Sequence, residues 1–200
     1  SLYSTDMGFG IMSFYDNVTI KNCKIKNYRY GVSVAYAMNN IITNNEMTGG
    51  PMTGIWESES SSTQVWNNTC TSCGRGIWLR GGSQSIVAKN SFTSTQYGTY
   101  LEREAGSIIA RNNLTANTYG IYADGQYGIV HNNTIMENTI TGSTSYGIYF
   151  YQNSAQNLIY NNTLTSNNYY GIQLDRQSDN NIIMNNTLRS NTYGIAISTS

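Results

Sequence analysis

The sequence predicts an all-β fold, a right-handed single-stranded parallel β-helix of about nine coils that takes up residues 1–200 as a single domain. Two repeats along the chain predict this solenoid. A glycine, in most cases followed by an apolar residue, recurs every 21 to 27 residues, and an apolar residue stands three positions before an asparagine in most repeats. The glycines are Gly10, Gly31, Gly54, Gly76, Gly98, Gly120, Gly147, Gly171 and Gly194. Because both repeats advance together, they mark one unit, which is too short to contain a helix besides its strands.

Each coil is expected to contain several short strands with a period of two. One apolar column lies two residues after the repeated asparagine and comprises Met47, Cys70, Phe92, Leu114, Ile135, Leu164 and Leu188. A second lies three residues after the glycine and comprises Val34, Leu79, Leu101, Ala123, Phe150, Leu174 and Ile197. Both columns should face the core, and coils paired at ~4.8 Å would give a rod of about 43 Å.

The repeated asparagine predicts an internal ladder of side-chain amides. An amide that points into a turn can donate to one neighbouring coil and accept from the other, which satisfies buried polar groups without charge. The expected members are Asn45, Asn68, Asn90, Asn112, Asn133, Asn162 and Asn186. The one step of 27 residues between glycines predicts an extra loop, at residues 136–145.

Charge and hydropathy exclude several classes of partner. Lys plus Arg and Asp plus Glu each number 11, so no net field favours nucleic acid. No stretch has the roughly 18 consecutive apolar residues that a membrane span needs, and the first residues carry no secretion signal. Both ends look uncapped, which favours a piece of a longer chain or an end-to-end assembly.

The repeats resemble those of a known superfamily. The segments Asn161–Asn167, Tyr170–Leu174 and Asn180–Ile183 resemble the parallel β-helix repeat of pectin-lyase-like proteins, and among these the NosD-like, carbohydrate-binding and sugar-hydrolase type repeats. The resemblance covers nearly the whole chain. It implies the β-helix fold and an extracellular, cell-surface or periplasmic location. It leaves the chemistry open, because that superfamily includes lyases, hydrolases, epimerases, adhesins and envelope proteins.

One outward column is aromatic over five successive coils. It comprises Trp56, Trp78, Tyr100, Tyr122 and Tyr149, and Asp175 lies in the next coil, near the end of the column. Such a face, flanked by charged groups, is a candidate surface for a glycan or for a neighbouring subunit. Plain cross-strand stacking, worth roughly 0.2 to 1 kcal/mol per pair, explains the same column equally well. The column of Tyr residues just before the glycines is interpreted as stacked turn residues.

Arg80, Glu102 and Asp124 are the candidates for catalysis. Glu102 and Asp124 fall at matching positions of successive coils, ~4.8 Å apart, where one carboxyl could acquire a raised pKa. Arg80 precedes them and could neutralise a substrate carboxylate, and Glu104 is expected nearby. However, the Asp-Asp, Gly-His-Gly and Arg-x-Lys signatures of the lyase and polygalacturonase branches do not occur in the chain.

The cysteines and methionines give no clear metal site. Cys70 and Cys73 form a lone Cys-x-x-Cys pair, and Cys70 stands in a core column, where a thiol usually acts as a small hydrophobe. No metal and no cofactor are expected, and a bridge between the two cysteines stays open. Six sequons permit N-glycosylation, at Asn17, Asn67, Asn113, Asn132, Asn161 and Asn185.

The function predicted is a non-catalytic extracellular structural module whose aromatic face contacts glycans or other subunits, with self-association through the open ends as a further expectation. The first alternative is a lyase, hydrolase or epimerase acting on an acidic polysaccharide through Arg80, Glu102 and Asp124. The second is an ice-binding protein, through Thr columns that Asn113 and Arg189 interrupt.

Overall fold

The computed structural model describes residues 8–198. Within that range the chain forms 27 strands and no helix, and the strands wind into the predicted parallel β-solenoid. The described residues therefore contain no helix that is long and apolar enough to cross a membrane. Each turn adds one strand to each of three parallel sheets. Eight turns are complete and a ninth strand extends the first sheet, so the count is close to the nine coils expected.

Each sheet collects the equivalent strand of every turn. Sheet 1 contains β1 Phe9–Ser13, β4 Tyr30–Ala35, β7 Thr53–Ser58, β10 Arg75–Arg80, β13 Tyr97–Glu102, β16 Tyr119–Asp124, β20 Tyr146–Tyr151, β24 Tyr170–Asp175 and β27 Tyr193–Ser198. Sheet 2 contains β2 Thr19–Lys21, β5 Ile41–Thr43, β8 Gln64–Trp66, β11 Ile86–Ala88, β14 Ile108–Ala110, β18 Thr134–Met136, β22 Leu158–Tyr160 and β25 Ile182–Met184. Sheet 3 contains β3 Lys24–Lys26, β6 Glu46–Thr48, β9 Thr69–Thr71, β12 Ser91–Thr93, β15 Asn113–Thr115, β19 Thr139–Thr141, β23 Thr163–Thr165 and β26 Thr187–Arg189. A fourth sheet has two strands, β17 Val130–His131 and β21 Ser154–Ala155.

The core forms because apolar side chains alternate with polar ones along each strand. In β12, Phe92 is fully buried while Ser91 and Thr93 reach the surface. Phe92 pairs with Cys70 in the turn before and with Leu114 in the turn after. These stacks join into one hydrophobic cluster that extends from Ile20 to Leu174, so a single core runs along the solenoid.

The repeated glycine lies where two turns come closest together. A Cβ placed on Gly76 would be 2.5 Å from the carbonyl oxygen of Gly98 and would also overlap the ring of Phe92. Any side chain at this position would push the next turn away. Glycine therefore recurs near the start of the sheet 1 strands because successive turns pack too closely there for a side chain.

A continuous amide ladder lines the corner between sheets 2 and 3. Its members are Asn45, Asn68, Asn90, Asn112, Asn138, Asn162 and Asn186. Asn112 Nδ2 donates to Asn138 Oδ1 at 3.0 Å, so the expectation that Asn133 follows Asn112 is wrong. Asn133 instead donates to Asn157 at 3.1 Å, in a second ladder at another corner. Asn133 and Asn138 each follow an apolar residue by three positions. Which of them continues the ladder of Asn112 depends only on where the extra residues are inserted.

The insertion lies earlier than predicted. Residues 134–136 and 139–141 form β18 and β19, so the expected loop at 136–145 is wrong. Four of the five extra residues enter at 125–129, between β16 and β17, and the fifth enters between β19 and β20. As a result Ile135 faces the core from sheet 2, and Ile140 takes the expected place beside Leu114 in sheet 3.

Cys70 and Cys73 form a disulfide whose Cα atoms are 6.3 Å apart, within the range for such bridges. Cys70 is fully buried on β9, and Cys73 lies at the corner that follows it. The bridge therefore ties the end of sheet 3 to the start of the next turn. Cys23, in the first turn, is free.

Candidate functional site

The outer surface of sheet 1 brings the predicted aromatic residues together. The strand register aligns Trp56 with Trp78, Trp78 with Tyr100, Tyr100 with Tyr122 and Tyr122 with Tyr149. Adjacent rings lie 5.3 to 5.8 Å apart, measured between centroids. The five side chains thus form one continuous column along the solenoid.

A second aromatic column lies beside the first and consists of the residues before the glycines, which the sequence analysis assigned to turns. Tyr97 stacks on Tyr119 at 5.1 Å and also on Tyr100, its own strand neighbour, at 5.1 Å. The Tyr residues before the glycines are therefore part of the outer face of sheet 1 and not turn residues. We call the two columns the aromatic face, and its members are Phe9, Tyr30, Trp56, Trp78, Tyr97, Tyr100, Tyr119, Tyr122, Tyr146, Tyr149, Tyr170 and Tyr193. The Tyr-Gly pair that recurs in the sequence was the available indication.

Within the aromatic face the flat sides of the rings cover one another. Trp56 and Trp78 lie within 19° of parallel, and Tyr119 and Tyr146 within 8°. Tyr100 is only 7% exposed as a result. Ring faces are therefore largely taken up inside the stack, and the surface presents ring edges and phenol hydroxyls. Stacking of sugars on the ring faces, which the sequence suggested, is restricted to the margins of the column.

A cation interrupts the second column. Arg75 stands where the neighbouring turns carry Thr53 and Tyr97. Its guanidinium lies 4.4 Å from the ring centroid of Trp78 and 5.0 Å from that of Tyr100. At this distance the positive charge is attracted to both ring faces, so it anchors the stack at the fourth turn.

Beside the aromatic face, the predicted carboxylates Glu102 and Asp124 are the last residues of their sheet 1 strands. Glu102 and Asp124 pair in register, as expected from their spacing. Each is bound separately: Arg80 Nε lies 3.1 Å from Glu102 Oε1, and the Tyr100 hydroxyl donates to Asp124 at 2.9 Å. Tyr149 donates to Asp175 at 3.0 Å in the same way.

Burial of the tyrosines raises the pKa of their hydroxyls. The pKa values of Tyr100 and Tyr122 rise well above the ordinary value of 10.0, first through burial and then through the negative charge of Asp124. The pKa of Tyr149 rises through burial and through its hydrogen bond to Asp175. These hydroxyls stay protonated, so they serve as hydrogen-bond donors and not as bases.

A groove of about 450 Å³ opens beside Glu102. It is lined by Trp78, Arg80, Glu102, Arg103 and Tyr127. Tyr127 belongs to the insertion at residues 125–129 and is 63% exposed. The inserted loop therefore supplies one wall of the groove. Sequence reasoning missed this residue because it placed the insertion elsewhere.

Two further acidic residues lie inside the solenoid. Glu57 occupies a core column between Val34 and Leu79 and is 1% exposed. Its Oε1 accepts a hydrogen bond from the Ser85 hydroxyl at 2.6 Å. Glu104, expected near Glu102 and Asp124, is fully buried and accepts a hydrogen bond from the Ser107 hydroxyl at 2.6 Å.

The interior raises the pKa of both buried carboxyls. Burial and the neighbouring Glu104 raise the pKa of Glu57 to about 8. Burial raises the pKa of Glu104 to about 7. Glu57 therefore holds a proton in the folded protein at neutral pH, whereas Glu104 is about half protonated there, and neither contributes to the groove.

The sequons follow from the geometry of the corners. Asn67, Asn132, Asn161 and Asn185 are exposed and have φ between 53° and 57°, and the φ of Asn17 is 59°. Asparagine is one of the few residues that adopts this left-handed region readily. Asn132 precedes a different corner from Asn161 and Asn185, so these three sequons do not stack in one column. Glycosylation of any of them stays a prediction.

Comparison with known families identifies the repeat. The family model described as a right handed beta helix region matches residues 9–149. The model described as periplasmic copper-binding protein (NosD) matches residues 128–200. No curated protein sequence matches the chain.

Solved structures share the fold at low sequence identity. The periplasmic alginate epimerase AlgG is 17% identical with a TM-score of 0.68, over 88% of this chain and 49% of the epimerase. DFA-IIIase from Arthrobacter chlorophenolicus A6, in complex with DFA-III, is 16% identical with a TM-score of 0.69, over 92% of this chain and 48% of the enzyme. The Streptococcus pneumoniae surface protein and adhesin PfbA is 16% identical with a TM-score of 0.64, over 92% and 67%. The chain thus spans about half the length of the two enzymes, and these likenesses concern the fold alone.

The described residues of the chain do not fit a copper site. Across residues 8–198, no three or more His, Cys, Asp and Glu side chains come together in a way that could hold a metal ion. The histidine of the chain, His131, lies on β17. The sulfur of Met136 accepts a hydrogen bond from the hydroxyl of Tyr160 at 2.7 Å. The copper function named for one matching family model is therefore not carried over to this chain.

Proposed function

Because this chain belongs to the family of right-handed parallel β-helix proteins, we propose that it is a non-catalytic solenoid module that works outside the cytoplasm and binds a saccharide chain. The observation that carries the proposal is the groove beside the aromatic face. The groove places the ring of Tyr127 and the charged side chains of Arg80, Glu102 and Arg103 around one open volume of about 450 Å³. Aromatic rings with a few polar groups are the usual lining of a sugar site.

The chemistry of the groove suits a polyhydroxylated chain. Arg80 and Arg103 are each bound to one carboxylate, Glu102 and Glu59, and each guanidinium keeps further N–H donors. Carboxylate oxygens of Glu102 accept from sugar hydroxyls. The relatives of known structure include enzymes of carbohydrates, one of them solved with DFA-III, which supports a saccharide ligand in this family.

A location outside the cytoplasm is supported by the Cys70–Cys73 disulfide, since such bridges persist in oxidising compartments. The family model for a periplasmic protein and the bacterial surface adhesin among the structural relatives support the same location. Recovery of the bridged protein from the periplasm or medium, when it is expressed behind a secretion signal, tests this part. Isolation of a reduced protein from its native source would contradict it.

The binding test removes the most exposed wall of the groove. Tyr127→Ala should weaken binding to saccharides that are positive on a glycan array by up to about tenfold, because one aromatic contact is worth about 0.5 to 1.5 kcal/mol. Tyr15→Ala is the matched control, because Tyr15 is 77% exposed in the first turn, away from the groove. If wild-type protein binds no saccharide, or if both variants bind equally, the proposed site is wrong.

One observation favours a second function, that of an enzyme acting on an acidic polysaccharide. Arg80 and Glu102 line the groove, and Asp124 lies beside Glu102 in register. An Arg that neutralises a substrate carboxylate and a nearby acid would suit elimination or epimerisation. Product release from an acidic polysaccharide that stops in Glu102→Gln, with an unchanged circular dichroism spectrum, would replace the non-catalytic proposal with this one.

A further inference from the structure

The outward surface of sheet 3 carries a regular array of hydroxyl groups that the proposed saccharide site does not use. We call it the threonine face. One of its columns contains Thr69, Ser91, Asn113, Thr139 and Thr163, and the other contains Thr71, Thr93, Thr115, Thr141 and Thr165. Every residue pairs in register with its equivalent in the next turn, so the array has two straight columns over five turns.

The threonine face carries no charge. An ion pair between Lys24 and Glu46 precedes it in the first two turns, and Arg189 follows it in the eighth. Within the ten positions, the one hydrogen bond between side chains joins Thr115 to Asn113 at 3.1 Å. The remaining hydroxyls on this described part of the sheet therefore have solvent as their partner.

Strand propensity does not explain the choice of residues. Thr, Ile, Val and Tyr all favour strands, and sheet 2 uses the apolar ones at its outward positions, such as Ile86, Ile108 and Tyr160. Sheet 3 has the same strand length and a similar pattern of solvent exposure, yet from the third to the seventh turn its outward positions are hydroxyl residues and one amide. The two sheets of one chain thus present chemically different surfaces.

The spacing of the array points to a ligand that is itself periodic. Hydroxyls in one column repeat at ~4.8 Å, and the two columns stand about 6.6 Å apart along each strand. Thr side chains are also stiff at χ1, so the hydroxyls and methyls hold this spacing. Oxygen rows in ice repeat at comparable distances in two directions. A flexible chain of sugars would gain more from aromatic rings, which this face lacks.

We propose that the threonine face binds ice. The rows of Thr hydroxyls take positions in the outermost layer of ordered water, while the methyl groups rest between them. Binding of this kind blocks growth of the crystal at the covered plane. It depends on a flat, uncharged array, so it is separate from the groove on sheet 1 and from any saccharide bound there.

The test is thermal hysteresis together with inhibition of ice recrystallisation, measured on the whole chain. Wild-type protein should show both activities, and Thr115→Lys should abolish them, because a long charged side chain stands out from the centre of the array. Ala88→Lys, at an outward position of sheet 2, should retain both, and circular dichroism confirms the fold of each variant. The proposal would be overturned if wild-type protein showed neither activity, or if both variants lost them equally. It would also be overturned if the protein bound crystalline cellulose, lost that binding in Thr115→Lys, and had no effect on ice.

Discussion

Glu57 gives the sharpest prediction about this fold, because it is a carboxyl in a hydrophobic column. The perturbation is Glu57→Gln, which keeps the shape and the hydrogen bond from Ser85 but removes the ionisable group. In the folded protein burial raises the pKa of Glu57 from 4.5 to about 8. The unfolded chain releases the proton near pH 4.5, and the folded protein retains it until about pH 8.

The sign of the pH dependence follows from proton linkage. Between pH 4.5 and about pH 8 the folded state binds one proton more than the unfolded state at this residue, so the free energy of unfolding falls as the pH rises. The slope is about 1.4 kcal/mol per pH unit within this window, and the loss relative to acidic pH reaches about 3 kcal/mol at neutral pH. Above about pH 8 this contribution levels off. Glu104, with its pKa raised to about 7, adds a slope of the same sign below that pH.

The assay is urea denaturation followed by tryptophan fluorescence at a series of pH values from acidic to mildly alkaline. Wild-type protein should lose stability as the pH rises, and Glu57→Gln should show a smaller loss, with the two proteins most similar at acidic pH. Asp175→Asn is a control at a more exposed carboxyl on the outer face. A wild-type free energy of unfolding that stays flat or rises between about pH 5 and pH 8 would refute the buried, protonated state of Glu57.

Three further predictions concern the ladder, the disulfide and strand β27. Asn112→Ala should lower the free energy of unfolding by about 2 to 4 kcal/mol, because its partners lose buried hydrogen bonds. The control Asn113→Ala, at an exposed residue, should change the free energy of unfolding little. Denaturant midpoints measure both effects. Reduction of the Cys70–Cys73 bridge should cost about 2 kcal/mol, since it closes a short loop, and a midpoint unchanged by reductant would speak against this. Ile197 on β27 is 70% exposed, so the 200-residue chain should self-associate through this strand; Ile197→Lys should reduce the mass seen by light scattering, and a monomeric wild-type chain at high concentration would contradict it.

The solenoid itself follows from the sequence alone. In a parallel β-helix each residue pairs with its equivalent one turn later, so the repeat of the sequence is also the register of the sheets. The alignment of Trp78 with Tyr100 and of Glu102 with Asp124 can therefore be counted from the glycine spacing, and the strand pairs confirm it.

Spacing does not decide where extra residues enter a turn. Val130 and Ile135 each precede an asparagine by three positions, so the repeat alone fits either Asn133 or Asn138 as the next member of the ladder. The strand pairing decides between the two asparagines in favour of Asn138, because Ile135 pairs with Ile109 in sheet 2. The insertion then falls at residues 125–129 and forms a wall of the groove.

Side-chain direction is the other property that depends on the tertiary structure. Alternation along a strand breaks down beside the glycine, so Tyr97 and Tyr100 share the outer face although three positions separate them. At the following corner Glu104 is fully buried, although the sequence placed it near the outward residues Glu102 and Asp124. The repeat encodes which residues are neighbours between turns, whereas the local path of the backbone at corners and glycines determines which of them face solvent.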